Sequence, residues 1–128
     1  MALQFGSARS RLFAKGRLPS GQMNKTESAF AAELERQRVA GLIQWWKFEG
    51  IKLRLADKTF LTVDFAVLDA EGYLQMIDVK GSLNPAVYQG DAKVKMQVAA
   101  VTYPFKFFVA VPRLKRDGGG FSVTDVSA

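Results

Sequence analysis

Residues 59–68, Thr-Phe-Leu-Thr-Val-Asp-Phe-Ala-Val-Leu, form a nearly continuous apolar run with one carboxylate, Asp64, embedded in it. A run of this length and composition reads as a strand covered on both faces, so the chain must place layers on either side of a sheet. Tyr73 to Lys80 reads as its hairpin partner. With a three-residue loop Ala70-Glu71-Gly72, and Gly72 in the left-handed position such loops require, Asp69 faces Tyr73. Counting back, Asp64 then lies directly opposite Asp78. Alternation along the strand puts Leu74, Met76, Asp78 and Lys80 on one face. An apolar row thus ends in an acid and a base, with a second acid across from the first. Opposed residues hold their Cβ atoms about 4.5–5.5 Å apart, and two carboxylates there repel unless a cation intervenes. An unpaired ionised Asp64 in such apolar surroundings would also be costly. A divalent metal resolves both conflicts; the plain structural alternative is a buried ion pair of one acid with Lys80.

The remaining elements are arranged around this hairpin. Asn24 to about Ala40 reads as a helix, with Asn24 as N-cap, Phe30, Ala31 and Leu34 on one stripe, and Gly41 where a terminating glycine belongs. Glu27 shares that stripe and is expected to face the sheet, although Asn24 with Glu27 three residues on equally fits a capping box. Ile43 to Phe48 and Ile51 to Leu55, around Gly50, predict a bent strand or two short ones. Residues 81–90, with Gly81, Ser82, Asn84, Pro85 and Gly90, read as a loop long enough to be a flap or to contact a substrate. A second helix is expected from about Asp91 to Thr102, packed through Val94, Val98 and Val101, which brings Gln97 near the sheet. Phe105 to Val111 reads as a strand, followed by a basic turn with Arg113, Lys115, Arg116 and Gly118–Gly120, then a short strand at 121–126.

The expected order is α-β-β-β-α-β, an α/β (α+β) fold with a mixed sheet flanked by helices. At 128 residues the chain has room for one core, so residues 24–128 are read as a single domain. Residues 1–23 carry Arg9, Arg11, Lys15 and Arg17 with no acidic residue and no periodic apolar face. They are read as a flexible basic arm that tracks phosphates, in preference to an organellar transit peptide of similar composition.

Composition restricts the chemistry. The sequence contains no His and no Cys, which excludes zinc fingers, His-based acid–base pairs, thiol nucleophiles and disulfides. Catalysis would have to run on carboxylates, lysines and hydroxyls, and hard carboxylate oxygens suit Mg²⁺ or Mn²⁺. Eighteen Lys and Arg against twelve Asp and Glu, a net charge of +6, favour a polyanionic partner such as DNA. No apolar run approaches the ~18 residues of a membrane span, and the N-terminus lacks the apolar stretch of a secretory signal, so a reducing cytoplasm is the expected compartment.

Thr62-Val63-Asp64, followed by Ile77-Asp78-Val79-Lys80-Gly81 and preceded by a helix bearing Asn24-Lys25-Thr26-Glu27, resembles the PD-(D/E)xK nuclease superfamily, and within it a group of small, mostly phage-encoded proteins. The likeness covers roughly residues 23–112. It implies a restriction-endonuclease-like core, with Asp64 and Asp78 as metal ligands, Val79 as a backbone-carbonyl ligand, and Lys80 orienting the attacking water or steadying the scissile phosphate. Glu27 would be an accessory acid. Two departures stand out: Val63 replaces the proline of the motif's name, and Asp78 occupies a place often held by Glu. The resemblance further implies a Mg²⁺- or Mn²⁺-dependent DNA endonuclease acting in phage DNA recombination, repair or replication in a bacterial host cytoplasm, with junctions or flaps among the expected substrates and a nicked duplex or a single strand left open. Contacts to nucleic acid are expected from Arg9, Arg11, Lys15, Arg17, Lys93, Lys95, Gln97, Arg113, Lys115 and Arg116, and a homodimer is left open. The alternatives are a nucleic-acid-binding module that does not cut, or an interaction protein of a phage particle in which Trp45 and Trp46 would be interface. Aromatics in strands more often serve the core.

Overall fold

Helix α1 (Lys25–Val39) starts where the sequence places its cap. The Asn24 side chain accepts the Glu27 amide, and the Glu27 carboxylate accepts the Asn24 amide in return, a complete capping box. The helix ends at Ala40, after which Gly41 turns with a φ of +79°. In the computed structural model, which describes residues 21–82 and 90–126, the strands are β1 (Ile43–Phe48), β2 (Lys52–Ala56), β3 (Thr59–Thr62), β4 (Phe65–Asp69), β5 (Leu74–Val79), β6 (Lys106–Pro112) and β7 (Phe121–Asp125). Helix α2 (Asp91–Thr102) connects β5 to β6, and one 3-10 turn (Lys115–Asp117) precedes β7.

Five strands form one sheet in the order β1-β4-β5-β6-β7, with β5 and β6 parallel and the other neighbours antiparallel. β2 and β3 form a separate two-stranded hairpin. The fold is therefore α+β, a mixed sheet with one helix on each side, as expected. One expectation fails: residues 59–68 are two strands, β3 and β4, interrupted at Val63–Asp64. The break marks a change of partner and of layer. β3 pairs with β2 alone, whereas β4 pairs with β1 and β5, and Val63 is buried in one core while Phe65 is buried in the other.

Alternation along the central strands divides the interior. Phe65 and Val67 of β4 with Ile77 and Val79 of β5 pack under Phe30, Ala31 and Leu34 of α1. On the opposite face Ala66, Met76 and Phe107 pack under Met96 and Ala99 of α2 and Leu53 of the hairpin. Phe65, Met76, Met96 and Phe107 are fully buried, each side chain contributing about 1.5–3 kcal/mol relative to exposure. Tyr103 donates its hydroxyl to the Arg54 carbonyl, which ties the hairpin to the end of α2.

Helix α2 has the expected limits but the opposite orientation. Val94, Val98 and Val101 are exposed, Val101 at 89%, and Met96 and Ala99 are buried. Both stripes have helical spacing, and the one carrying two small alanines and a flexible Met allows close approach to Phe107 and Met76. Gln97 lies on the exposed side and does not face the sheet. Among the described residues no helix is long and apolar enough to cross a membrane.

Candidate active site

The turn after β4 sets the site's register. Asp69 is buried and accepts the amides of Glu71 (3.0 Å) and Tyr73 (2.8 Å), and Gln75 Nε2 donates to its other oxygen at 3.2 Å. The Tyr73 amide and Lys106, 3.8 Å from Asp69, help hold its carboxyl below the usual carboxylate range. Gly72 takes a φ of +91°, the left-handed conformation the loop requires. The ladder then runs Leu68 opposite Leu74 through Phe65 opposite Ile77, the register the loop length predicts, and ends one residue short of Asp64 and Asp78.

Asp64 stands in the bend that precedes β4, and its carbonyl accepts the Glu49 amide at 2.7 Å. Its Oδ2 accepts the Val79 amide at 2.8 Å. Asp78 is 7% exposed, continues the row of Leu74 and Met76, and forms an ion pair with Lys80 at 3.0 Å. The Asp78 carboxyl neighbours that of Asp64. Burial and the neighbouring Asp78 charge push the Asp64 carboxyl up to about 8, against the opposing pull of the Val79 amide. A carboxyl that retains its proton near neutrality beside a second one can exchange that proton for a cation.

Glu27 stands on the α1 side of the sheet. Its charge contributes to the rise at Asp64 as the smallest of the causes, while its carboxylate completes the capping box. The capping box foreseen for it is thus formed. Among the described residues no three acidic side chains form a group that could hold a metal. Two carboxylates nevertheless fit Mg²⁺, which is commonly held by one or two acids together with waters and substrate phosphates.

Parallel pairing brings further cations to the same end of the sheet. Val79 lies beside Ala110, and the Lys80 amide donates to the Ala110 carbonyl, so the turn bearing Arg113, Lys115 and Arg116 follows next to Lys80. These three residues are exposed; Arg113 Nε donates to the Gly119 carbonyl of its own turn. The first turn of α2 begins at this end as well, with Lys93 exposed and Lys95 donating to the Phe60 carbonyl at 3.1 Å. Arg9, Arg11, Lys15 and Arg17, together with residues 83–89 of the expected flap, lie outside the described residues. The described chain opens at Gly21, whose amide donates to Glu49 Oε1, and Met23 packs against the core beneath α1.

Sequence reasoning missed Glu49, which touches Asp64 through its backbone and Gly21 through its side chain. Its signal was the Glu-Gly pair ending β1, where Glu49 adopts a φ of +49°. Comparison with protein-family models, with curated proteins and with solved structures yields no match to this chain, which leaves the site's own geometry to carry its functional reading.

Proposed function

We propose that this chain is a metal-dependent DNA endonuclease that hydrolyses phosphodiester bonds at the Asp64–Asp78–Lys80 site. The observation that carries the proposal is the convergence of Asp64 and Asp78, half-buried and buried at the same end of the central strands, with Lys80 3.0 Å from Asp78 and the Val79 amide 2.8 Å from Asp64. Asp64 and Asp78 would hold the cation, with the Val79 carbonyl as the additional ligand that the resemblance implies. The chemistry supplied by bound Mg²⁺ or Mn²⁺ is polarisation of a phosphoryl oxygen and acidification of a water. Lys80 provides fixed positive charge where the pentavalent phosphorus gains negative charge, and its pairing with Asp78 holds the ammonium in place beforehand. The Val79 amide and the Glu49 amide fix both ends of Asp64, so the carboxylate is oriented by backbone. The basic residues at 93, 113, 115 and 116 would neutralise DNA phosphates around the site. A place in phage DNA recombination, repair or replication in a bacterial cytoplasm is what the resemblance implies, and junctions or flaps are the substrates to test first.

A second reading, a nucleic-acid-binding module that does not cut, draws support from the absence of a third acid beside Asp64 and Asp78 among the described residues. Nicking of supercoiled plasmid by purified protein in Mg²⁺ or Mn²⁺, against the same reaction in EDTA, separates the two. Metal-dependent conversion to open-circular or linear DNA supports the nuclease. Retained binding without conversion in either metal supports the module.

A further inference from the structure

The hairpin β2–β3 is a small surface that the proposed chemistry does not use. Its two faces differ sharply. Leu53, Leu55 and Leu61 point inward to the core beneath α2, while Lys52, Arg54, Phe60 and Thr62 are all exposed on the other face. Register places Arg54 opposite Phe60 and Lys52 opposite Thr62. Lys52 Nζ lies 4.6 Å from the centre of the Phe60 ring, and the ring remains 40% exposed. Lys58 adds a third cation at the tip, and the single acid there, Asp57, lies 3.7 Å from Arg54 with both side chains largely in water.

We infer that this outer face binds single-stranded DNA, with one unpaired base stacked on Phe60 and the flanking phosphates met by Lys52, Arg54 and Lys58. The inference rests on the nucleic-acid reading above and names its substrate class: a strand with unpaired bases. Charge complementarity selects the occupant. An apolar protein partner would meet one ring among three cations, whereas a polyanion carrying π-faces satisfies both features at once. Duplex DNA offers the phosphates but keeps its base faces stacked inside the helix. Position agrees, because Phe60 precedes Asp64 by four residues and their Cα atoms are at most about 14 Å apart. A strand seated on the ring therefore lies within a few nucleotides of the carboxylates. The platform is held from behind, where Lys95 donates to the Phe60 carbonyl and Tyr103 to the Arg54 carbonyl.

Fluorescence anisotropy in EDTA, with labelled single-stranded and duplex oligonucleotides of equal length, tests this directly. Phe60→Ala should weaken single-strand binding about 5- to 150-fold, the range for one stacked base, and leave duplex binding within twofold. Phe60→Trp should retain the wild-type single-strand affinity. Lys52→Ala with Arg54→Ala should weaken binding to both DNAs and lower the salt dependence. An unchanged single-strand affinity in Phe60→Ala, or an equal loss on duplex, overturns the inference, provided thermal unfolding shows the variant folded. Because metal is absent, loss of this surface is separable from loss of the nuclease. Cleavage can fail with the single-strand preference intact, or persist without it.

Discussion

Replacing Asp64 with Asn examines the raised Asp64 carboxyl directly. The amide keeps an oxygen for the Val79 N–H and carries no charge, so it mimics protonated Asp64 at every pH. In the wild type, the folded state holds a proton that the unfolded chain releases near 3.8, and loses it only near 8. The folded state therefore binds more protons across that window, and without metal its stability falls as pH rises from about 4 to about 8, then levels. A tenfold change in proton affinity is worth about 1.4 kcal/mol, so the ceiling is about 5–6 kcal/mol. Residual solvent access reduces this to about 2–4 kcal/mol. Urea denaturation in EDTA, followed by Trp45 and Trp46 fluorescence, should show Asp64→Asn more stable than wild type by that amount at pH 8.5 and nearly equal at pH 4.5. Mg²⁺ at a hundred times its dissociation constant should restore about 2.7 kcal/mol to the wild type at pH 8.5 and little to the variant. An identical pH slope in both proteins, or a variant less stable at pH 8.5, would refute the raised Asp64 carboxyl.

Two further outcomes follow from the same geometry. Lys80→Gln removes the cation 3.0 Å from Asp78 and should slow single-turnover cleavage about 10²- to 10³-fold, the cost of one preorganised charge; Lys80→Arg should recover part of it, and equal rates for Gln and wild type would remove Lys80 from the chemistry. Replacing Arg9, Arg11, Lys15 and Arg17 with Ala should lower the slope of log affinity against log salt by about 0.9 for each phosphate no longer neutralised, and an unchanged slope would give the arm another purpose.

The sequence carried the site more clearly than the layers around it. Asp69, Gly72 and the loop length between them fix the register that leads toward Asp64 and Asp78, because turn chemistry is local and period-two alternation leaves no freedom once the turn is set. The helix caps at Asn24 and Gly41 were legible for the same reason. What escaped depends on partners remote in sequence. The apolar continuity of residues 59–68 conceals a break at Val63–Asp64, since both halves are covered but by different layers. In α2 the valine stripe and the Ala–Met stripe have equal periodicity, and only the shape of the surface formed by Met76 and Phe107 selects the second. Hydropathy cannot register that shape, and Gln97 was misplaced along with the valines. The hairpin face of Lys52, Arg54 and Phe60 was hidden because β2 and β3 form their own sheet, which becomes visible only once the central five strands are paired without them.

Asp78→Asn, assayed for cleavage and binding side by side, bears most directly on the nuclease. The substitution keeps the side chain's size, removes a ligand charge and reduces repulsion toward phosphate. On plasmid, linear, single-stranded and four-way-junction DNA in Mg²⁺ or Mn²⁺, the variant should lose cleavage while its DNA affinity holds or rises slightly. A wild-type protein that cuts none of the four substrates in either metal, yet binds them as well as the variant does, would contradict the nuclease and leave a DNA-binding module.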